Sequence, residues 1–572
     1  MAINERYKRK EKPVVYQVFT RLFGNRNTVC RENGTLEENG CGKMNDFTLP
    51  VLKRIKDMGV THIWYTGVIR HATVTDYTKY GIPSQNKDVV KGIAGSPYAI
   101  TDYYDIDPDL AEDVEHRMEE FEQLIERTHK AGMKVVIDFV PNHVARQYKS
   151  VCKPQGVLDL GESDDTTMHF SPQNNFYYCW GRPLDLSDVG YASSDYVELP
   201  AKATGNDRFD NRPGRNDWYE TVKLNYGIDY CDAGGRSEHF SPTPDTWHKM
   251  TDILLFWASK GIDGFRCDMA EMVPSAFWEW ATKKVKSRFP LIVFIGEVYD
   301  PSRYRTYIAS GFDYLYDKVG MYDCIRDVIC ARRPAGDITY QWQATDDIRN
   351  NMLYFLENHD EQRVASDFFA GDAVKALPGV IVSVLMQTNP FMLYAGQEFG
   401  EKGMCKEGYS GCDGRTTIFD YWAVDTLRRG YFERRKMAMA ERSLESAYKT
   451  VLRLANEEKA IREGCFFDLM YVNQHIADKQ YVFLRKKGDD LIIVAANFSS
   501  DVKECDVVVP SHAIDYLEIV SGSHEAVDLL TGNKTEVKIM PDESFSIIIP
   551  PYSGKVLKIC QRKETEELSF LF

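Results

Sequence analysis

Short, nearly unbroken apolar runs alternate with helix-spaced apolar positions along roughly the first 400 residues of the chain. Val14-Val15-Tyr16-Gln17-Val18-Phe19 reads as a first buried strand. Val51, Leu52, Ile55 and Met58 then fall on one helical face, and Gly59 ends that helix. His62-Ile63-Trp64-Tyr65 is a second strand, followed by a helix with Met118, Phe121, Leu124, Ile125 and Thr128 on one face and Gly132 at its end. Residues 134–139 form a third strand. Continuous apolar runs of this kind are what parallel strands covered on both faces require. The rhythm returns at residues 261–268, 291–295, 312–315, 352–356 and 391–394, with Trp247, Met250, Ile253, Leu254 and Trp257 marking one of the intervening helices.

The rhythm breaks between residues 145 and 232, where Gly, Pro, Asn, Asp and aromatics crowd together without sustained periodicity. A structureless loop of that length is uncommon inside a compact domain, so a small inserted domain is expected there. After a charged helical stretch the pattern turns to period two, beginning with residues 481–485 and 491–494 around a Gly488-Asp489 turn. Eight strand–helix repeats predict an α/β fold, a (β/α)₈ TIM barrel with the insertion after strand three, plus a C-terminal antiparallel β-sandwich. The expected division is a barrel over residues 1–144 and 233–465, an inserted domain over 145–232 and a β domain over 466–572. A doubly wound sheet is the structural alternative. No Gly-x-Gly-x-x-Gly follows strand one and no P-loop is present, so nucleotide-binding folds lose support.

Composition narrows the partners. A chain of 572 residues exceeds one core, so roughly two or three domains are expected. The net charge of −15 argues against a nucleic-acid or anionic-membrane partner. No apolar run is long enough for a membrane span, and the polar start over residues 1–12 does not read as a signal peptide. The 13 cysteines are scattered without paired spacing, which favours reduced thiols and a cytoplasmic protein. Aromatics at 12% suit a site that stacks on sugar rings, although cores use them too.

Polar residues close four of the apolar runs: Asp138-Phe139-Val140-Pro141-Asn142-His143, Arg266-Cys267-Asp268, Glu297-Val298-Tyr299 and Glu357-Asn358-His359-Asp360. In a barrel the C-terminal strand ends share one mouth, so carboxylates, two histidines and an arginine would converge there. Arg266 and Asp268 stand two apart on a strand and share a face, and the cation favours an ionised neighbour. Alone, such a pair is more often a structural ion pair. The four strand ends together carry the catalytic reading. Carboxyls gathered at one mouth can divide into an ionised and a protonated member where their surroundings split their pKa values.

In this order the four segments resemble the conserved regions of the α-amylase family, glycoside hydrolase family 13, over residues 13–425, and the Bacteroides-type α-amylases look similar. The resemblance implies a retaining glycosidase that cleaves α-glucosidic bonds, α-1,4 foremost, in oligo- or polysaccharides such as maltodextrins and starch. It implies Asp268 as nucleophile, Glu297 as general acid/base and Asp360 as transition-state stabiliser. Arg266 would orient Asp268, His143 and His359 would hydrogen-bond the sugar beside the scissile bond, and Tyr98 would stack on it. Asp138 and Asn142 match mainly structural positions, Asn142 being a calcium ligand in some members. No cofactor is implied as required, and calcium is the one metal the resemblance raises.

The chain departs from the family's pattern in two places. Many α-amylases carry Lys-His three and four residues after the nucleophile, on the leaving-group side; here those positions are Glu271 and Met272. The usual Gly-Tyr-Asp reads Pro97-Tyr98-Ala99. A glucanotransferase or isomerase of the same family would use the same catalytic residues. A non-catalytic sugar-binding protein on this scaffold would be marked by a lost acid, and all three acids are present. Among other residues, His71 is expected as a loop hydrogen bonder and Arg363 as partner to a nearby carboxylate. Tyr177, Tyr178, Trp180 and Trp218 are expected in the core of the insertion rather than as sugar platforms, and Gln397-Glu398 either at the mouth or in a structural role.

Overall fold

The computed structural model describes residues 11–561, so most of the polar start lies outside the described residues. Eight strands close a parallel barrel: β1 (Val14–Phe19), β2 (His62–Thr66), β3 (Lys134–Phe139), β4 (Gly264–Cys267), β5 (Val293–Gly296), β6 (Tyr314–Tyr316), β7 (Met352–Phe355) and β8 (Phe391–Tyr394). Each pairs with its sequence neighbours, and β8 returns to β1 with Val14 opposite Phe391. Nearly every strand residue is buried, which is why the runs are apolar throughout rather than alternating. Strands β4 and β5 begin later than their apolar runs. Leu291 is 70% exposed on the approach to β5, so hydrophobicity alone overstates that strand.

Helices Leu49–Asp57, Arg117–Lys130, Asp245–Ser259 and Ser275–Arg288 cover the barrel with their apolar faces inward. Helix Leu377–Leu385 differs, being apolar almost all round. It is wedged between β7, the helix Met439–Glu457 and the C-terminal sheet, so it has no wet face.

The insertion between β3 and helix Asp245–Ser259 is built from very short ladders. His143–Ala145 pairs antiparallel with Thr221–Lys223, and Tyr178–Cys179 with Ala201–Lys202. The C-terminal region is antiparallel: β9 (Cys465–Asp468), β10 (Gln480–Lys487), β11 (Asp490–Asn497), β12 (Lys503–Val508), β13 (Gly522–Asp528), β14 (Lys534–Ile539), β15 (Ser544–Ile549) and β16 (Ser553–Cys560). Six of these form one sheet in the order β9-β10-β11-β16-β13-β14, and β12 pairs with β15. Asp468 pins this region to the barrel. Its Oδ2 accepts from the Thr339 hydroxyl (2.6 Å), Trp342 Nε1 (2.8 Å) and the Tyr481 hydroxyl (2.8 Å). All 13 cysteines are unpaired, and among the described residues no helix is long and apolar enough to cross a membrane.

Candidate active site

The barrel ladder runs one residue past β4 and β5 and so fixes two carboxylates by backbone. The Asp268 N–H donates to the Phe139 carbonyl (2.9 Å) and the Glu297 N–H to the Cys267 carbonyl (3.1 Å). Between them Arg266, fully buried, lies 2.8 Å from Asp268 Oδ1, 2.7 Å from Glu297 Oε2 and 3.4 Å from Asp138 Oδ1. One planar guanidinium therefore joins three carboxylates, a geometry that suits arginine and not lysine. The rings of Trp64, Tyr98 and Tyr316 enclose it at 5.1, 5.5 and 5.6 Å. Met269 follows in the left-handed region (φ 42°) and its N–H reaches Glu297 Oε2 at 2.8 Å. That conformation is costly for a non-glycine residue and persists where its surroundings hold it. The other Glu297 oxygen accepts from the Tyr299 hydroxyl at 2.5 Å.

Asp360 arrives from the end of β7. Asn358 Oδ1 accepts from the backbone N–H groups of Asp360 (2.8 Å) and Glu361 (2.9 Å), and this turn presents the Asp360 carboxylate to the open side. His359 Nε2 lies 3.1 Å from Asp360 Oδ2 and 2.5 Å from the Tyr98 hydroxyl, with the Tyr98 and His359 rings stacked at 5.3 Å. His143 opens the strand His143–Ala145, and its ring stands 5.1 Å from that of Trp218. Tyr98, His143, Trp218, Asp268, Glu297, Tyr299 and Asp360 line one cavity of about 250 Å³, with Lys91, Glu220 and Phe419 on its wall.

Residues 17–307, more than half of the chain, match the family model described as the α-amylase catalytic domain, and residues 471–560 match the α-amylase C-terminal all-beta domain. The chain belongs to the α-amylase family. It is 23% identical to neopullulanase 2 of Thermoactinomyces vulgaris over 568 residues, 95% of this chain and 77% of that protein. It spans 55–59% of the length of three curated α-amylases that it also matches. Among solved structures it is similar in fold to an α-amylase from Geobacillus thermoleovorans complexed with acarbose, at TM-score 0.64 and 19% identity, covering 97% of this chain and 100% of that one. It is similar also to CldA, a cyclomaltodextrin glucanotransferase, at TM-score 0.64 and 17% identity, covering 96% and 100%.

The electrostatics of this amylase-family site differ in one respect from the reading of Arg266 and Asp268 alone. Burial pushes the Asp268 carboxyl well up; Arg266 opposes this, while Glu297 and Asp138 add to it. Burial likewise raises Asp138, to about 6. One guanidinium does not offset three carboxylates in a dry site, so burial and the neighbouring carboxylates raise Asp268 in spite of Arg266. The two histidines are neutral there. Burial takes His359 down to about 3 with Arg266 assisting, and His143 down to about 3 with Lys223 and Lys91 assisting.

The residue expected as a calcium ligand is already engaged. Asn142 Oδ1 accepts a hydrogen bond from the Lys223 ammonium, and Asn142 Nδ2 donates to the Gly205 carbonyl (2.8 Å). A cation on the same oxygen does not fit a calcium ion beside it.

Trp218, Trp180 and His71 lie elsewhere than expected. Trp218 is a wall of the cavity, not core, whereas Tyr177 and Tyr178 are buried and Trp180 is 59% exposed. His71 sits in the strand Ile69–His71, 3.0 Å from Asp107. Glu398 is buried and accepts from the Tyr16 and Tyr431 hydroxyls, away from the mouth. Arg363 does pair with a carboxylate, Glu357, at 2.9 Å. Sequence reasoning missed Tyr299, although it stands two residues beyond Glu297, the spacing that returns a side chain to the same side of an extended segment. It also missed Lys91, Glu220 and Phe419, which carry no local signal.

Proposed function

We propose that the chain is a retaining glycoside hydrolase that cleaves α-glucosidic bonds, α-1,4 first, in maltodextrins or starch-like glucans. The observation that carries this is Arg266 joining Asp268 to Glu297 in a cavity that Asp360 also faces. The narrower resemblance to Bacteroides-type α-amylases goes with the same reading.

In the first step Glu297 gives its proton to the glycosidic oxygen while Asp268 Oδ attacks the anomeric carbon. The carbon–oxygen bond breaks and a glycosyl ester forms. In the second step Glu297, now ionised, takes a proton from water, whose oxygen displaces Asp268. That division of labour asks for Asp268 ionised, and the Arg266 guanidinium 2.8 Å from it favours the ionised form against the burial that raises it. Asp360 faces the positive charge that develops on the sugar. The neutral imidazoles of His143 and His359 can each donate to a hydroxyl without competing with that charge. Tyr98 offers its ring as the floor beneath the sugar.

The test is product analysis. Wild type and Asp268→Asn are incubated with maltoheptaose, soluble starch, pullulan, isomaltotriose, sucrose and trehalose, with chromatography over time and proton NMR of the first-formed anomer. The expected result is shorter maltodextrins released as the α anomer by wild type and near silence from the variant. β-Anomer product, or a variant as active as wild type, sinks the retaining assignment of Asp268. Products longer than the substrate move the reading to glucan transfer.

A further inference from the structure

Lys223 is the last residue of the strand Thr221–Lys223 and lies opposite His143 in the ladder that docks the insertion on the barrel. Its side chain is 3% exposed, an unusual place for a lysine. The ammonium reaches oxygens on three separate segments: Asn142 Oδ1 at the end of β3, Asp207 Oδ1 within the insertion at 2.7 Å, and the Met272 carbonyl after β4 at 3.3 Å. An ammonium has three protons and no lone pair, so three oxygens satisfy it fully. Asp207 supplies the counter-charge that lets it remain buried.

We propose that the Lys223 ammonium is a built-in cation that fastens the insertion to the barrel, and that the chain has no calcium site at Asn142. Calcium needs about six to eight oxygens at close range, and here one of the expected donors already holds a fixed positive charge. The Asn142 amide cannot be turned to release its oxygen, because its nitrogen serves the Gly205 carbonyl. Among the described residues one trio of His, Cys, Asp or Glu has metal-ligand spacing, and it lies elsewhere: Asp102, Asp105 and Cys152. Its carboxylates are taken by Arg70 and Arg117 and by the Ser150 hydroxyl and the backbone N–H groups of Val151 and Cys152. The insertion carries Trp218 and Thr221 to the cavity wall, so the Lys223 fastening positions that wall. Lys223 is a positioning residue and touches no reacting atom.

The metal and melting readouts stand apart from the hydrolase reading, and only the turnover readout of the second arm rests on it. Wild-type protein purified without chelator is assayed for calcium by plasma mass spectrometry and melted in excess EDTA and in millimolar calcium. The expected result is far less than one calcium per chain and superimposable melts. Stoichiometric calcium, or a melt that EDTA lowers and calcium restores, overturns the proposal. In the second arm, Lys223→Met keeps most of the apolar stem and removes the charge. It is expected to lower the melting temperature by several degrees and kcat/KM on maltodextrin about tenfold through a looser cavity wall. A Lys223→Met protein that melts and turns over like wild type overturns the fastening role. If that variant does not fold, the wild-type metal and melting data decide alone.

Discussion

Gln17 Nε2 lies 2.7 Å from Nδ1 of His359, a residue 342 positions away in sequence. An amide nitrogen can only donate, so Nδ1 must accept and the imidazole proton sits on Nε2, facing Tyr98 and Asp360. Gln17 also reaches the Thr66 hydroxyl at 3.2 Å and is fully buried, so it cannot swing away.

Replacing Gln17 with Leu should therefore leave the barrel standing and release the tautomer of His359. Loss of one buried hydrogen bond to a neutral group is worth about 1–3 kcal/mol, or a fall in kcat/KM of about 10–100-fold if it is felt in the transition state. Steady-state kinetics on a maltodextrin reads it, with circular dichroism as the control for folding. Unchanged kcat/KM in a folded Gln17→Leu protein means that the tautomer does not matter.

Glu271 stands where many α-amylases carry lysine. Its Oε2 accepts from the backbone N–H groups of Tyr299 and Asp300, each at 3.1 Å, and so grips the segment that follows Glu297. Glu271→Gln retains an acceptor and should keep most of the activity. Glu271→Ala should lose about tenfold in kcat, through a freer Tyr299 and the misplacement of Glu297. Glu271→Lys should be worse than alanine, because an ammonium then faces two N–H donors. A lysine variant more active than the alanine one would show that the position serves the leaving group directly.

The barrel was legible because fully buried parallel strands have to be apolar along their whole length, and because their ends break abruptly into Asp138, Arg266, Glu297 and Asp360. The weakest run became the shortest strand of the eight, Tyr314–Tyr316. The insertion was not legible in detail. Four of its strands are only two residues long, too short for a period to show, and much of its backbone is held by side chains such as Asp164, which accepts from the N–H groups of Asn175 and Phe176. The same limit hid Gln17 and Lys223. Gln17 is a lone amide in an apolar strand, Lys223 ends a strand of three residues, and the groups they meet come from other segments of the chain.

Asp468 joins β9 to the helix Ile338–Ala344 through Thr339 and Trp342 and to β10 through Tyr481, three donors on one oxygen. Asp468→Ala leaves the Thr339 and Tyr481 hydroxyls and the Trp342 N–H without that acceptor. The expected cost is about 3 kcal/mol, since each unpaired buried donor costs about 1–3 kcal/mol and the three do not add fully. The melting temperature should fall by a few degrees, with kcat/KM on maltodextrin unchanged well below the melt. A drop in activity at low temperature would instead make the C-terminal region part of the site.

Glu407 gives the fold a pH dependence of definite sign. It is 3% exposed, receives the Thr417 N–H at 2.5 Å, and is pushed up to about 8 by burial, with the charge of Glu401 adding. An unfolded chain ionises this carboxyl near its ordinary value of 4.5. Between those values the folded state holds the proton more tightly, so stability falls as pH rises from about 4.5 to about 8 and levels off beyond. At about 1.36 kcal/mol per unit this reaches a few kcal/mol. Glu398, raised to about 7, acts in the same direction over a narrower window. Glu407→Gln keeps the acceptor for Thr417 and removes the titration. It should melt like wild type near pH 5 and several degrees above it near pH 9, as seen by melting both proteins across that range. Equal slopes for the two would mean that Glu407 is already ionised in the folded protein, with its neighbours providing the missing charge compensation. The loop that holds Glu407 also carries Ile418 and Phe419 into the cavity. The wild-type enzyme should therefore lose affinity for maltodextrin above about pH 8, as the buried charge forms, and the variant should not.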